Sequence, residues 1–204
     1  MSEKNFSDRV VLVSGAGRGA GRRLAQAFAA QGAVVAANDI SPVNLEPVVD
    51  GIMTAGGRAR AYVHDIAKKV DVQVMVNNIC DDFGRIDILV NCANVQLPTA
   101  LLEVDEWDLH RVFEVNAVGT LLMMQSVGRV MRAQTRLPGL EYTGIMVNVV
   151  KLPDNAPASF IASRAGLAAM TVRANAELNL AGVSVFAVQD EDPIEAVLAG
   201  CRKG

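Results

Sequence analysis

Three shortages in the amino-acid sequence narrow the possible functions. Lysine and arginine number 19 against 22 acidic residues, and the net charge of −3 predicts no basic surface for nucleic acid or an anionic membrane. Aromatic residues, at 4%, are too few for platforms on which bases stack. No apolar run approaches the roughly 20 residues that span a bilayer, and the N-terminal residues lack the apolar core of a signal peptide. We therefore expect a cytoplasmic protein that binds neither nucleic acid nor membrane.

Cysteine and histidine are also scarce. Cys80, Cys92 and Cys201 are odd in number and widely spaced, which is not the spacing of zinc ligands or of a disulfide framework. His64 and His110 are isolated from them and from each other. We predict no metal site and no disulfide.

The composition that remains is typical of one compact domain. Hydrophobic residues make up 51% of the 204 residues and charged residues only 20%, which is enough apolar surface for a substantial core. No repeat, linker or low-complexity stretch divides the chain. We expect residues 1–204 to form a single domain.

A glycine-rich turn follows the first apolar run of the chain. The apolar residues 10–13 end at Ser14, four of the next seven residues are glycine, and a helical pattern of apolar residues begins at Gly19. Glycines allow the backbone to approach a phosphate, and the first N–H groups of a helix favour an anion. An acidic residue, Asp39, ends the next apolar run about twenty residues later, as in dinucleotide sites. The alternative is a tight turn without a ligand.

Apolar runs and helical patterns alternate along the rest of the chain. This order predicts a doubly wound α/β fold, a parallel sheet with helices on both faces and ligands at the carboxyl ends of its strands. The predicted strands are 9–13, 33–38, 58–63, 86–90, 144–149 and 183–188. The predicted helices are 19–31, 44–55, 70–82, 105–133, 157–180 and 192–200.

Several spaced motifs together resemble the short-chain dehydrogenase/reductase family. Residues 14–21 match its TGxxxGxG turn with Ser14 in place of Thr, and Asp65-Ile66 matches a pair that lines its adenine pocket. Residues 83–91 resemble its fourth strand, and Asn116 lies in a match to the helix that carries its structural and proton-relay Asn. The resemblance covers about residues 8–188 and implies a Rossmann-like fold.

The resemblance also implies a cofactor and its contacts. In the family an acidic residue at the position of Asp39 accepts hydrogen bonds from the ribose hydroxyls and repels a 2′-phosphate, so NAD is expected rather than NADP, even with Arg18 nearby. The residues expected to bind NAD are Ser14, Gly15, Arg18, Gly19, Gly21, Asp39, Asp65, Ile66 and Asn91.

The residues that carry the family's chemistry are replaced. Phe160 stands where the family has its catalytic Tyr and has no hydroxyl to exchange a proton, and Arg164 stands where the family has Lys. Both serines of the family's fifth strand are lost, and Lys151 occupies one of their positions. Asn116 is retained. Lys151, Ser159 and Ser163 stay open as replacement catalysts, although a structural role for Ser163 and a solvated position for Lys151 are the simpler interpretations.

Further family features are missing near the C-terminus. The segment between the fifth strand and Phe160 is shortened, and Val188-Gln189-Asp190 replaces the Pro-Gly that shapes the nicotinamide pocket. We also expect a truncated C-terminus, without the lid over the substrate and without a seventh strand. Hydride transfer needs positioning and proton transfer together, so the adenine half of the site is expected to survive without its reacting half.

These features favour a non-catalytic family member. It would support an intact paralogue in a heteromeric NAD-dependent alcohol dehydrogenase that acts on a substrate like a 3-hydroxyacyl-CoA. Within the family it resembles the non-catalytic subunit of 2-(hydroxybenzyl)succinyl-CoA dehydrogenase, which has such a supporting role. The resemblance implies a heterotetramer or a homo-oligomer formed through helices 105–133 and 157–180. The alternatives are an oxidoreductase that uses non-standard or partner-supplied residues for proton transfer, and a scaffold without ligand.

Overall fold

The computed structural model describes residues 5–134, 144–190 and 192–202. Its strands are β1 (Val10–Ser14), β2 (Val34–Asp39), β3 (Arg58–Val63), β4 (Ile88–Asn91), β5 (Gly144–Val149) and β6 (Val183–Val188). Its helices are α1 (Gly19–Ala30), α2 (Pro42–Thr54), α3 (Lys69–Phe83), α4 (Glu106–Phe113), α5 (Thr120–Gln134), α6 (Ala158–Leu178) and α7 (Ile194–Arg202).

The six strands form one parallel sheet in the order β3-β2-β1-β4-β5-β6. The chain order reverses direction between β1 and β4, so the carboxyl ends of these two strands border a crevice, the usual place for a ligand in such sheets. The predicted Rossmann-like, doubly wound α/β fold is confirmed, with six strands in the part of the chain that the structure describes.

Alternate residues of each strand point to opposite faces of the sheet, and each face has its own helices. On one face Val11 and Val35 pack in a cluster with Leu24 and Phe28 of α1 and with Leu198 of α7. On the other face the cluster is built from the intervening strand residues and from α3, α5 and α6. Because both faces are covered, the inner strands β1 and β4 are buried along their whole length.

The long helix predicted over 105–133 differs from the structure in one respect. A π-helical turn, Glu114–Gly119, separates α4 from α5. The wider turn surrounds Asn116, and the Thr120 hydroxyl donates to the carbonyl of Asn116. Apolar spacing does not reveal such a turn, because the same face stays buried on both sides of it.

Among the described residues, no helix has the length and apolar content needed to cross a membrane. Nor do the described histidine, cysteine, aspartate and glutamate residues form a group that could hold a metal ion.

Candidate functional site

A row of four buried polar residues crosses the carboxyl edge of the sheet. Asn38, Ser14, Asn91 and Asn148 are paired in register across β2, β1, β4 and β5. The Ser14 hydroxyl accepts the N–H groups of the two residues after β4 at 3.2 and 3.3 Å, and the Asn38 amide donates to two carbonyls at the end of β3. Ser14 therefore fixes the start of the loop after β4, and Asn38 fixes the end of β3.

The turn between β1 and α1 needs glycine at two positions because backbone lies against it. Gly15 has a φ of +67°, and a Cβ there would lie 2.6 Å from the Cα of Ala93. A Cβ on Gly21 would lie 2.1 Å from the carbonyl oxygen of Gly15. The glycines therefore let β1, α1 and the loop after β4 come together at one point.

The start of α1 faces the crevice with its N–H groups free of a side-chain cap. Arg18 is the N-cap residue, its side chain makes no capping hydrogen bond, and the first turn carries no acidic residue. At Gly19, where φ is +57°, a Cβ would meet no atom within 4 Å. An anion can therefore approach this helix end, where the helix dipole favours it.

The carboxylate of Asp39 is held by backbone donors from two loops. One oxygen, Oδ2, accepts the N–H of Gly17 at 3.0 Å, and the other, Oδ1, accepts the N–H of Ser41 at 3.0 Å. Each carboxylate oxygen keeps a second lone pair for a further donor. The group is thus positioned at the end of β2 to receive hydroxyl donors.

Asp65 and Arg111 form the far wall of the same crevice. The Asp65 Oδ1 atom accepts the N–H of Ala67 at 3.0 Å, and its Oδ2 atom lies 3.8 Å from Nη1 of Arg111. Ile66 is buried and packs over Gly119 in the π-helical turn. An acidic group and an apolar surface therefore lie together in the wall of the cleft that Asp39 also lines.

These elements enclose a cleft of about 530 Å³, a volume suited to a small ligand. Ser14 and Asn91 do not line it. They lie beneath it, buried, and Asn91 donates its amide to Asn148 at 2.9 Å. Seven of the nine residues named from the sequence line the cleft: Gly15, Arg18, Gly19, Gly21, Asp39, Asp65 and Ile66.

Other residues of the cleft wall were not anticipated from the sequence. Arg111 comes from α4, Val115 from the π-helical turn, and Asn44 from α2. Arg111 carries the clearest signal that could have been used, since it stands five residues before Asn116 on the same helical segment. Its neighbour Asp65 is distant in sequence, so only the fold brings the two charges together.

Asn116 is fully engaged by its own chain. Its Oδ1 accepts the N–H of Val95 at 2.7 Å, and its amide donates to the carbonyl of Val95 at 2.9 Å and to the Ser163 hydroxyl at 3.0 Å. The Ser163 hydroxyl in turn donates to the carbonyl of Phe160 at 2.7 Å. Asn116 and Ser163 thus tie the loop after β4 to α6.

The positions of Phe160 and Arg164 are buried in the first two turns of α6. Phe160 is 4% exposed and Arg164 is 2% exposed. The Arg164 guanidinium donates to the carbonyl of Val149 at the end of β5, and its Nε has no hydrogen-bond partner. No described carboxylate forms an ion pair with it, and burial lowers the pKa of Arg164 to about 10. Lys151, in contrast, is exposed.

Cys92 lies between the cleft and Arg164. It lines the cleft but is 7% exposed, and burial raises the pKa of its thiol to about 11, with a smaller lowering from the charge of Arg164. Burial therefore favours the protonated thiol over the nucleophilic thiolate.

Comparison with known proteins agrees with this geometry. The family profile described as short chain dehydrogenase matches residues 9–190. The short-chain reductase protein NovJ of Streptomyces niveus is 33% identical over 181 residues, which are 89% of this chain and 68% of that protein. The BbsD subunit of (2S)-[(R)-hydroxy(phenyl)methyl]succinyl-CoA dehydrogenase from Thauera aromatica is 35% identical over 186 residues, 90% of this chain and 72% of that protein.

Solved structures show the same fold. An NAD⁺-bound xylitol dehydrogenase superposes with a TM-score of 0.83 at 28% identity, covering 90% of this chain and 70% of that one. A metagenomic short-chain oxidoreductase in complex with NADP superposes with a TM-score of 0.88 at 25% identity, covering 98% of this chain and 93% of that one. The glycine-rich turn, the sheet order and these matches together show that the chain belongs to the short chain dehydrogenase family.

Proposed function

We propose that this chain is a non-catalytic, cytoplasmic member of its family that binds NAD and supports a catalytically intact paralogue in an NAD-dependent dehydrogenase. One observation carries the proposal. The cleft at β1, β2 and β3 is open and is lined by the start of α1, Asp39 and Asp65, whereas position 160 beside β5 holds a buried phenylalanine without a hydroxyl.

Four features of the cleft support binding of an NAD-like dinucleotide. The uncapped start of α1 suits its phosphates, and the open space at Gly19 leaves room for them. The Asp39 carboxylate suits a ribose diol, and Asp65 suits the amino group of adenine. Structures of similar proteins have been solved with NAD⁺ and with NADP, so both cofactors must be considered. The negative charge of Asp39 opposes the 2′-phosphate of NADP, whereas the exposed Arg18 would favour that phosphate. We assign the preference to NAD because Asp39 is fixed by two backbone donors.

The other end of the site supports the absence of catalysis. Bound NAD supplies a hydride acceptor, but oxidation of an alcohol also needs a base that takes the hydroxyl proton. Phe160 cannot act as one. Ser163 uses its proton in a bond to the carbonyl of Phe160, and Arg164 stays charged at neutral pH. Of the two tyrosines, Tyr62 donates to Asp82 at the far edge of the sheet, and Tyr142 lies outside the described residues.

Calorimetry with NAD, followed by a dehydrogenase assay of the purified chain with a panel of alcohols including 3-hydroxyacyl-CoA thioesters, tests the proposal. We expect saturable NAD binding and no NADH formation. No binding at millimolar NAD would contradict the cofactor assignment, and turnover by the chain alone would contradict the non-catalytic assignment. The double substitution Phe160→Tyr with Arg164→Lys then shows whether those two positions alone account for the missing activity.

Exposed apolar residues on the two long helical segments support assembly with another subunit. Val118 and Leu121 are each 47% exposed at the junction of the π-helical turn and α5. On α6 a strip of small or apolar residues is exposed at heptad-like spacing, which would let another helix pack closely. The strip consists of Ala162, Ala165, Ala169, Val172 and Ala176.

Light scattering after size-exclusion chromatography tests the assembly. We expect an oligomer of this chain, or capture of a partner from source cells that keeps the family's Tyr and Lys. Leu121→Glu or Val172→Glu should break either assembly, whereas Val43→Glu, at a 79% exposed position on α2, should not. A monomer that captures no intact family member would contradict the subunit role.

The alternative is an oxidoreductase that uses non-standard or partner-supplied residues for proton transfer. It is favoured by the names of several relatives, among them a D-threitol dehydrogenase of Mycolicibacterium smegmatis, 37% identical over 123 residues. Activity of the chain alone that is lost on Ser163→Ala or Lys151→Ala would establish this alternative. Activity only in the complex, and lost on substitution of the partner's residues, would leave this chain non-catalytic.

A further inference from the structure

Gly17, in the middle of the glycine turn, lies directly against the acidic side chain at the end of β2. It is buried and its φ is outside the left-handed region, so no backbone constraint requires glycine there. The space does. A Cβ on Gly17 would lie 2.8 Å from Oδ2 and 2.9 Å from Cγ of Asp39, and 2.8 Å from the Cβ of Asn44. A side chain at 17 would therefore displace the carboxylate.

The same residue also donates to the carboxylate. The Gly17 N–H bonds to Oδ2 of Asp39 at 3.0 Å, and the Ser41 N–H bonds to Oδ1 at 3.0 Å. Hydrogen bonds to an ionised acceptor are stronger than those between neutral groups, and two donors on different oxygens fix both position and rotation. The absence of a side chain at 17 is what allows the first of these bonds.

We propose that Gly17 is a specificity-determining positioning residue, which sets the preference for NAD over NADP by holding the Asp39 carboxylate where a 2′-phosphate would otherwise lie. The inference rests on the proposed binding of NAD at this cleft. A carboxylate fixed before binding accepts the ribose hydroxyls without first being ordered, and it cannot turn away from a 2′-phosphate. A mobile carboxylate would lose both effects.

A double-mutant cycle read by calorimetry with NAD and with NADP tests this role. The proteins are the unmodified chain, Gly17→Ala, Asp39→Ala and the double variant. Gly51→Ala is the matched control, because Gly51 lies in α2 with no atom within 4 Å of a Cβ built on it. We expect Gly17→Ala to lower the ratio of NAD to NADP affinity about tenfold, the worth of one charge-assisted hydrogen bond, and to change it little once Asp39 is absent.

The outcomes separate this inference from the proposed function. If the unmodified chain binds neither dinucleotide, the proposed function fails. If it binds NAD and Gly17→Ala leaves the ratio unchanged, or weakens both ligands equally with and without Asp39, the positioning role is overturned. If Gly17→Ala does not fold, the cycle is repeated in an Asn44→Gly background, which removes the other close contact of a Cβ at 17. Recovery of the fold in that background only when Asp39→Ala is also present supports the contact with Asp39, and an unchanged ratio of affinities without Asp39→Ala overturns it.

Discussion

Polar groups are oriented differently at the two ends of the carboxyl edge of the sheet, the cleft end at β1, β2 and β3 and the β5 end. At β1, β2 and β3 the polar groups around the cleft are open toward it: the start of α1 is uncapped and each oxygen of Asp39 keeps a lone pair. At β5 the polar groups turn inward. The hydroxyl of Ser163 and the guanidinium of Arg164 both donate to carbonyls of their own chain.

The contrast shows which parts of the fold depend on the site. The alternation of apolar residues that builds both faces of the sheet is independent of residues 160 and 164, so the fold persists when they change. The glycine turn is different, because the glycines that would admit a phosphate also allow β1 and α1 to pack. Residues 160 and 164 can therefore change at little structural cost, and the glycines of the turn cannot.

The largest effect is expected from Gly21→Ala at the cleft end. Its Cβ would lie 2.1 Å from the carbonyl oxygen of Gly15, so the first turn of α1 must move away from β1. We expect NAD affinity to fall by about a hundredfold or more and the free energy of unfolding to fall by about 1–3 kcal/mol, the usual range for an inserted methyl group in a packed site. Calorimetry and denaturant titration measure the two.

Gly51→Ala is the control for this change as well, since it adds the same methyl group to α2 in open space. Unchanged NAD affinity in Gly21→Ala would mean that the ligand does not use the start of α1. The start of α1 would then be no more a binding element than the β5 end.

Much of the fold followed from the sequence because it depends on local periodicity. The predicted bounds of β3, β5 and β6 match the structure, and those of the other strands lie within two residues of it. The π-helical turn at Glu114–Gly119 was missed, because a one-residue widening leaves the apolar face in place. The lining residues of the cleft that could be named from the sequence are mostly glycines and acidic residues at the end of a strand or just after it.

What the sequence could not supply were contacts between distant elements. The nearness of Arg111 to Asp65 depends on how α4 crosses the end of β3, and no spacing encodes that crossing. The placement of Ser14 and Asn91 beneath the cleft depends on the direction in which each side chain leaves its strand. Their motif positions gave no indication of which residues face the cleft.

A smaller effect, and of opposite sign, is expected from Arg164→Met at the β5 end. The guanidinium is buried, its Nε is unpartnered, and it has no ion-pair partner among the described residues, so its burial is only partly compensated. Replacing such a group with an apolar side chain of similar length removes the desolvation cost. We expect the free energy of unfolding to rise by about 1 kcal/mol and NAD affinity to stay unchanged.

Arg173→Met on the same helix is the matched control. Among the described residues Arg173 pairs only with exposed Glu177, so its replacement should change stability very little. A marked loss of NAD affinity in Arg164→Met would show that Arg164 takes part in cofactor binding. The β5 end would then be a working part of the site.

At neutral pH the smallest effect is expected at Cys92, which lies between the two ends. Its thiol has a pKa raised from 9.0 to about 11 by burial, so the folded chain keeps a proton that the unfolded chain releases. The corresponding stability is complete below pH 9 and is lost as the pH rises through about 11. Cys92→Ala should therefore reduce the alkaline loss of stability by about 1 kcal/mol at pH 10, measured as the difference between denaturant titrations at pH 8 and pH 10.

Because the charge of Arg164 lowers the pKa of Cys92, the alkaline loss of stability attributable to Cys92 should extend to higher pH in Arg164→Met. If Arg164→Met does not change that dependence, the two ends do not interact electrostatically through Cys92.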